Sequence, residues 1–358
     1  MPTQRIRIVA RSLIIAALMC SARFSLAADP PSATFGVTQT YKIGGTGGWA
    51  YLTVDAEHKL LYVPRSSHTQ VIDAASGKLV ADMPGQTGNH GVALVPEAGR
   101  GFITDGKDAS VFVFDVKTHA VLGKLKSVLD ADGITYDPAS KKVIFVSGDG
   151  GTAYPIDPAV DPKSGSVGPA IELGGKPEFL AADGQGKVFI NLVDKNQVAV
   201  VDTKTMKVLT KWPVAPGGSP VGMAMDRKGR RLFLGCRNPQ KLIVMSADDG
   251  KILADLPIGA GVDAVQFDDP YIFASCGDGT LTVARETSPG KFQVIQTVKT
   301  PIGAKTMGLD PTTHTLYLPT AEMQTPATST GKTATAPTRP TPKLDTFMVV
   351  VVGRTAGQ

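Results

Sequence analysis

The fold this chain predicts is all-β: a seven-bladed β-propeller of four-stranded antiparallel blades. Three observations predict it. A unit of about 42 residues recurs, imperfectly, from Gly44 almost to the C-terminus, and a period of that size built from short strands belongs to propellers. Each unit carries one strand with a central aromatic, and there are seven: Tyr62, Phe102, Phe145, Phe189, Phe233, Phe273 and Tyr317. No window holds a sustained helical period, and 39 glycines with 26 prolines suit turns between short strands.

Taken in order, the chain opens on a segment outside that fold. Arg5, Arg7 and Arg11 form a basic region, Leu13 to Met19 an apolar one, and Ser25-Leu26-Ala27 a small-x-small site, which together read as a signal peptide over residues 1–27. The apolar stretch is too short to span a bilayer, no later segment reaches the length needed, and Met19 before Cys20 does not suit a lipobox. The expected product is periplasmic or secreted. Its four leading arginines removed, the chain's +5 falls to about +1, so charge gives no signal for nucleic acid.

A single propeller domain is expected over residues 34–354. Each unit starts with a strand ending at an Asp turn, as in Leu52-Thr53-Val54-Asp55 or Ile134-Thr135-Tyr136-Asp137. The aromatic strand follows, then an apolar run and a second acid turn, as in Gln70-Val71-Ile72-Asp73 or Val198-Ala199-Val200-Val201-Asp202. Strands apolar on both faces fit blades sandwiched between neighbours. An amphipathic fourth strand, such as Lys78 to Asp82 or Lys251 to Asp255, fits an outer edge with one wet side. The last unit lacks that strand, and Val37 to Ile43 has no partner in the first. An N-terminal strand is therefore expected to complete the last blade and close the ring, so that deleting residues 35–43 costs disproportionate stability. The Thr/Pro/Ala-rich stretch 323–343 cannot bury a core and is expected to be an exposed loop inside that blade.

Leu61-Tyr62-Val63-Pro64 and Leu316-Tyr317-Leu318-Pro319, with Thr69-Gln70-Val71-Ile72-Asp73 and Ser76-Gly77-Lys78-Leu79-Val80, resemble the repeats of the YVTN-type (YncE-like) propellers. The resemblance covers nearly the whole chain after the leader, though no blade has a full Tyr-Val-Thr-Asn. It implies an exported bacterial propeller with a binding or cell-envelope role and says little about activity. Fold alone does not give function, which has to come from a site.

Familiar catalytic motifs fail on inspection. Thr330-Gly331-Lys332-Thr333 has no strand–helix frame for a phosphate loop, and Gly45-Thr46-Gly47-Gly48 is followed by a strand where a dinucleotide fold needs a helix. There is no His-Glu-x-x-His, Cys-x-x-Cys-His or Gly-x-Ser-x-Gly, and no catalytic residue can be named. One constellation comes from the repeat itself. The residue just before each first strand should face the mouth of the central channel, and aligning the units makes that ring Ala50, His90, Asp132, Glu178, Val221, Asp263 and Lys305, with Trp49 and Asn89 one position earlier. Three carboxylates and a histidine would suit a divalent cation (Ca²⁺, Zn²⁺ or Mn²⁺) held by Asp132, Glu178, Asp263 and His90, with Lys305 orienting an anionic substrate. Equally, channel mouths are wet, and polar residues there can simply be solvated. His58, His68, His119 and His314 fall in turns or near strand ends and read as surface residues.

Cys236 and Cys276 occupy equivalent positions in neighbouring units. In an oxidising compartment they can pair, yet equivalent strands of adjacent blades tend to be too far apart. Three functions fit these observations. The favoured one is a monomeric binding or scaffold module for a protein partner or small molecule. The alternatives are a metal-dependent, lactonase-like hydrolase and the large subunit of an amine-dehydrogenase-like redox complex.

Overall fold

Seven four-stranded antiparallel sheets make up the body of the protein in the computed structural model, which describes Met1 and residues 33–324 and 341–355. Six blades are continuous in sequence, over residues 53–84, 89–126, 131–172, 177–213, 220–256 and 262–299. The seventh takes Gly308–Asp310, Thr315–Thr320 and Met348–Thr355, and its outer strand is the N-terminal Thr34–Lys42. The leader assigned to residues 1–27 lies outside the described residues. No helix among the described residues is long and apolar enough to cross a membrane.

Burial explains the composition of each strand. Val143, Ile144, Phe145 and Val146 are all fully buried in the second strand of the third blade, because both of its faces meet other blades. The outer strand Leu79–Pro84 buries only Met83, since water covers its far side. The recurring acid that ends the third strand holds the following turn. Asp73 Oδ1 accepts hydrogen bonds from Ser76 N (2.7 Å) and Ser76 Oγ (2.6 Å), and Asp115 and Asp202 repeat the arrangement with Thr118 and Thr205.

The apolar side chains gather into seven separate layers, one between each pair of neighbouring blades. Seven blades in an open stack would share six such layers. The seventh joins Tyr317, Val349 and Val351 of the last blade to Leu52, Leu61 and Ile72 of the first, so the ring is closed. The closing strand starts three residues earlier than expected, at Thr34, and pairs from Thr34↔Thr355 to Lys42↔Met348. Phe35 and Tyr41 are its buried anchors, 3% and 6% exposed.

The structure adds two details to the sequence reading. Cys236 and Cys276 are free, buried thiols rather than a disulfide. Cys236 packs in the layer between the fourth and fifth blades and Cys276 in the layer between the fifth and sixth. Each faces the preceding blade, so the whole fifth sheet separates them. The loop assigned to 323–343 is also not free at its ends: Met323–Gln324 pairs with Thr341–Pro342 in a short ladder. Residues 325–340 lie outside the described residues.

Candidate functional site

The ring positions are delivered to the channel by a repeated backbone device. In the second to sixth blades the register between inner and second strands shifts at the start of the inner strand. The unpaired stretches contain His90, Asp132, Glu178, Val221 and Asp263, so each ring residue sits within a strand rather than before it. A bulge turns its extra residue out of the ladder, which is how sheets re-aim side chains at functional edges. Except for Phe179 after Glu178, a glycine or alanine follows each of these positions, because the inner strands crowd the axis. A Cβ on Gly133 would lie 2.6 Å from the Glu178 carbonyl oxygen, so only glycine fits between those two blades.

Six of the seven aligned positions line one well of ≈ 380 Å³: Ala50, His90, Asp132, Glu178, Asp263 and Lys305. Val221 is the exception; it is fully buried among the apolar side chains between the fifth and sixth blades. Trp49 lines the well as expected. Asn89 does so as a structural residue, its Nδ2 donating to His68 O (2.7 Å), Thr69 Oγ1 (2.8 Å) and Gln86 Oε1 (2.9 Å). The four remaining histidines are only partly superficial: His119 packs edge-on against Tyr62 at 5.9 Å, and His68 lies within a strand.

The well also holds residues the alignment missed: Tyr51, Lys107, Arg237 and Thr306. Tyr51 meets Phe179 edge to face with centroids 5.1 Å apart, and both rings also line the next cavity along the channel. Further along the inner strands lies a second channel cavity of ≈ 200 Å³, lined by Val54, Val92, Ile134 and Leu309. Arg237 ends a second strand and Lys107 lies in the turn just after one, and antiparallel pairing returns both to the face where inner strands begin. That topological fact was the available signal.

Electrostatically the well has two sides. On one, burial first, then the charges of Glu178, Asp130 and Asp263, push the Asp132 carboxyl well above the usual carboxylate range. Burial and Asp263 also raise Glu178, which accepts a hydrogen bond from Tyr51 Oη at 3.3 Å. Burial lowers His90, whose Nδ1 lies 3.4 Å from Asp132 Oδ1. Both members of that pair are therefore biased toward neutrality, and Asp132 Oδ1 is buried without a hydrogen bond. On the other side, Asp263 is 5% exposed and is held by Lys305 Nζ at 2.7 Å and by Arg237. Thr306, 3% exposed, has an unpartnered Oγ1 in the same lining, and Trp49 has an unpartnered Nε1.

This geometry does not gather the expected cation ligands. No group of three His, Cys, Asp or Glu side chains is placed to hold a metal among the described residues. Asp263 is already paired with two cations, Arg237 and Lys305. The arrangement suits hydrogen bonding to a polar molecule: a carboxyl held above its usual range, an imidazole held below its own and a tyrosine hydroxyl on one side, two cationic side chains on the other.

No family model and no curated protein matches this sequence. Solved structures do. The chain is similar to hydrazine synthase of Kuenenia stuttgartiensis, with a TM-score of 0.65 and 12% identity over 76% of this chain and 92% of that one. It is similar to the Cps50 (Swd1) β-propeller domain of Myceliophteria thermophila, with a TM-score of 0.65 and 10% identity over 80% of this chain and 96% of that one. At these identities the likeness shows the propeller fold.

Proposed function

We propose that the chain is an exported binding module, a divergent relative of the YVTN-type propellers, whose channel-mouth well takes a small polar molecule. One observation carries this reading. Residues up to 257 positions apart, Trp49 to Thr306, converge on a single well whose lining residues include buried polar atoms without partners. Unsatisfied buried polar groups are costly, and a ligand supplying hydrogen bonds recovers that cost. Concave sites with a few convergent polar groups are where small molecules bind. The signal-like residues 1–27 support export to the periplasm or beyond. A metal-assisted lactonase role has less support, because no three ligating side chains gather among the described residues and Asp263 is paired with two cations.

The test is a thermal-shift screen of small amines, organic acids, amino acids and sugars against wild type and Glu178→Gln. Binding to the folded state raises the melting temperature by mass action. A hit whose shift is lost in Glu178→Gln supports the reading. Hits indifferent to that variant, or none at all, contradict it. Metal analysis of the purified protein separates the hydrolase alternative, which requires a retained divalent ion.

A further inference from the structure

The well does not end at its own rim. Trp49, Arg237 and Lys305 also line a neighbouring cavity of ≈ 580 Å³ on the same face. The chemistry there is different. Its other side chains are Ile302, Met323 and Pro342, and the rest is glycine backbone. Ile302 is 55% exposed, an apolar side chain standing open beside two cations. Gly303 has φ +83°, and a Cβ there would lie 2.1 Å from Met323 Cε, so glycine lets the thioether lie against the backbone as a floor.

We propose that the two cavities form one cleft for an amphiphilic monocarboxylate, its carboxylate between Arg237 and Lys305 and its hydrocarbon body on the shelf of Trp49, Ile302 and Met323. This rests on the well being a binding site. The ion pairs leave room for a single anion. Arg237 and Lys305 have one salt-bridge partner between them, Asp263, at the junction of the two cavities, and Glu178 of the same well forms a salt bridge with neither. Donor capacity remains there as well. Arg237 donates through Nε to Val262 O at 3.0 Å and through Nη2 to Asp263, leaving Nη1 without a hydrogen bond among the described residues. Lys305 has three donors and one carboxylate partner. The shelf supplies the affinity that a lone carboxylate in water lacks, since each buried methylene strengthens binding roughly three- to fourfold.

The chain has two tryptophans, and Trp212 stacks on Phe189 at 5.8 Å in an outer strand, away from the cleft. A Trp212→Phe protein therefore reports on Trp49 alone. We would titrate it with acetate, hexanoate, octanoate and octan-1-ol and follow Trp49 emission. Octanoate should give a saturable change, with hexanoate roughly fivefold to tenfold weaker on a half-open shelf. Octan-1-ol should be about tenfold or more weaker because it lacks the charge. Ile302→Asp, at an exposed position that leaves the melting temperature unchanged, should weaken octanoate about tenfold, and so should Arg237→Met. Equal binding of octan-1-ol and octanoate, full octanoate affinity in Ile302→Asp, or a silent Trp49 would each overturn the proposal. A small polar ligand that still needs Glu178 while octanoate leaves Trp49 unchanged would refute the shelf and leave the well standing. Silence in both experiments would refute both.

Discussion

Replacing Phe35 with alanine tests ring closure at one side chain. Phe35 lies on the N-terminal strand, is 3% exposed, and sets its ring 5.0 Å from both Tyr271 and Phe273 at interplanar angles of 74° and 82°. Truncating a buried phenylalanine costs about 3–5 kcal/mol through lost transfer and the cavity left behind. The two edge-to-face pairs account for roughly 1–3 kcal/mol of that. A terminal strand can relax into the gap, so about 3 kcal/mol is expected. Val37, on the same strand but 43% exposed, is the control, and Val37→Ala should cost less than about 0.5 kcal/mol. Equilibrium urea unfolding measures both, and the midpoint should shift at constant m-value. Deleting 34–42 should cost more than Phe35→Ala, because it also strips the outer partner from Met348–Thr355. If Phe35→Ala stays within about 1 kcal/mol of wild type, or Val37→Ala is as damaging, the strand does not seal the last blade.

Three further predictions follow from buried polar groups. Asp132 has a folded-state value above its unfolded one, so its contribution to stability is full below the ordinary carboxylate range and lost as pH rises through the raised value. Asp132→Asn should match wild type in acid and become the more stable protein as pH rises, by at most about 1.4 kcal/mol per pH unit; parallel curves in urea would contradict this. Arg65 is fully buried, with its guanidinium 3.6 Å over Phe347 and donating to Gly48 O (2.9 Å), Thr46 O (2.9 Å) and Gln70 Oε1 (2.7 Å). It anchors the segment that presents Trp49, so Arg65→Met should cost about 2–4 kcal/mol and Arg65→Lys should not rescue it, lacking the planar fork. Burial pushes the Cys236 and Cys276 thiols up to about 12, so neither should react with a thiol reagent in the native protein and both should after denaturation. Native reactivity, or a melting temperature that falls on adding reductant, would contradict their assignment as free core thiols.

The blade pattern was legible because it is periodic. Seven aromatics at one phase, alternating burial and repeated acid turns state the same architecture seven times over. The missing outer strand of the last unit even pointed to the N-terminus as its replacement, though not to Thr34 as its start, since Phe35 looks like any surface phenylalanine until its pocket between Tyr271 and Phe273 is seen. The ring was legible for the same reason, and failed only at Val221 and in the role of Asn89. An alignment fixes a position in the repeat, whereas local packing decides where that side chain points. What stayed hidden is aperiodic. Arg237, Lys107 and Thr306 occur in single blades, and the Tyr51–Phe179 pair joins residues of the first and fourth blades. Cys236 and Cys276 stay apart, as the spacing of equivalent strands suggested, because equivalent phase places them on matching faces of successive sheets rather than facing each other. The aligned ring also showed Asp263 without Arg237, which comes from a different strand phase to pair with it.

Carboxyl titration by carbon-detected NMR tests the central claim, that acids from three blades share one desolvated well, without knowing any ligand. Asp132 and Glu178 should both titrate above the ordinary carboxylate range, and Asp263→Asn should lower both, because the Asp263 charge helps raise each of them. Ordinary values for Asp132 and Glu178, indifferent to Asp263→Asn, would mean that these side chains stand apart in water and that the well does not exist.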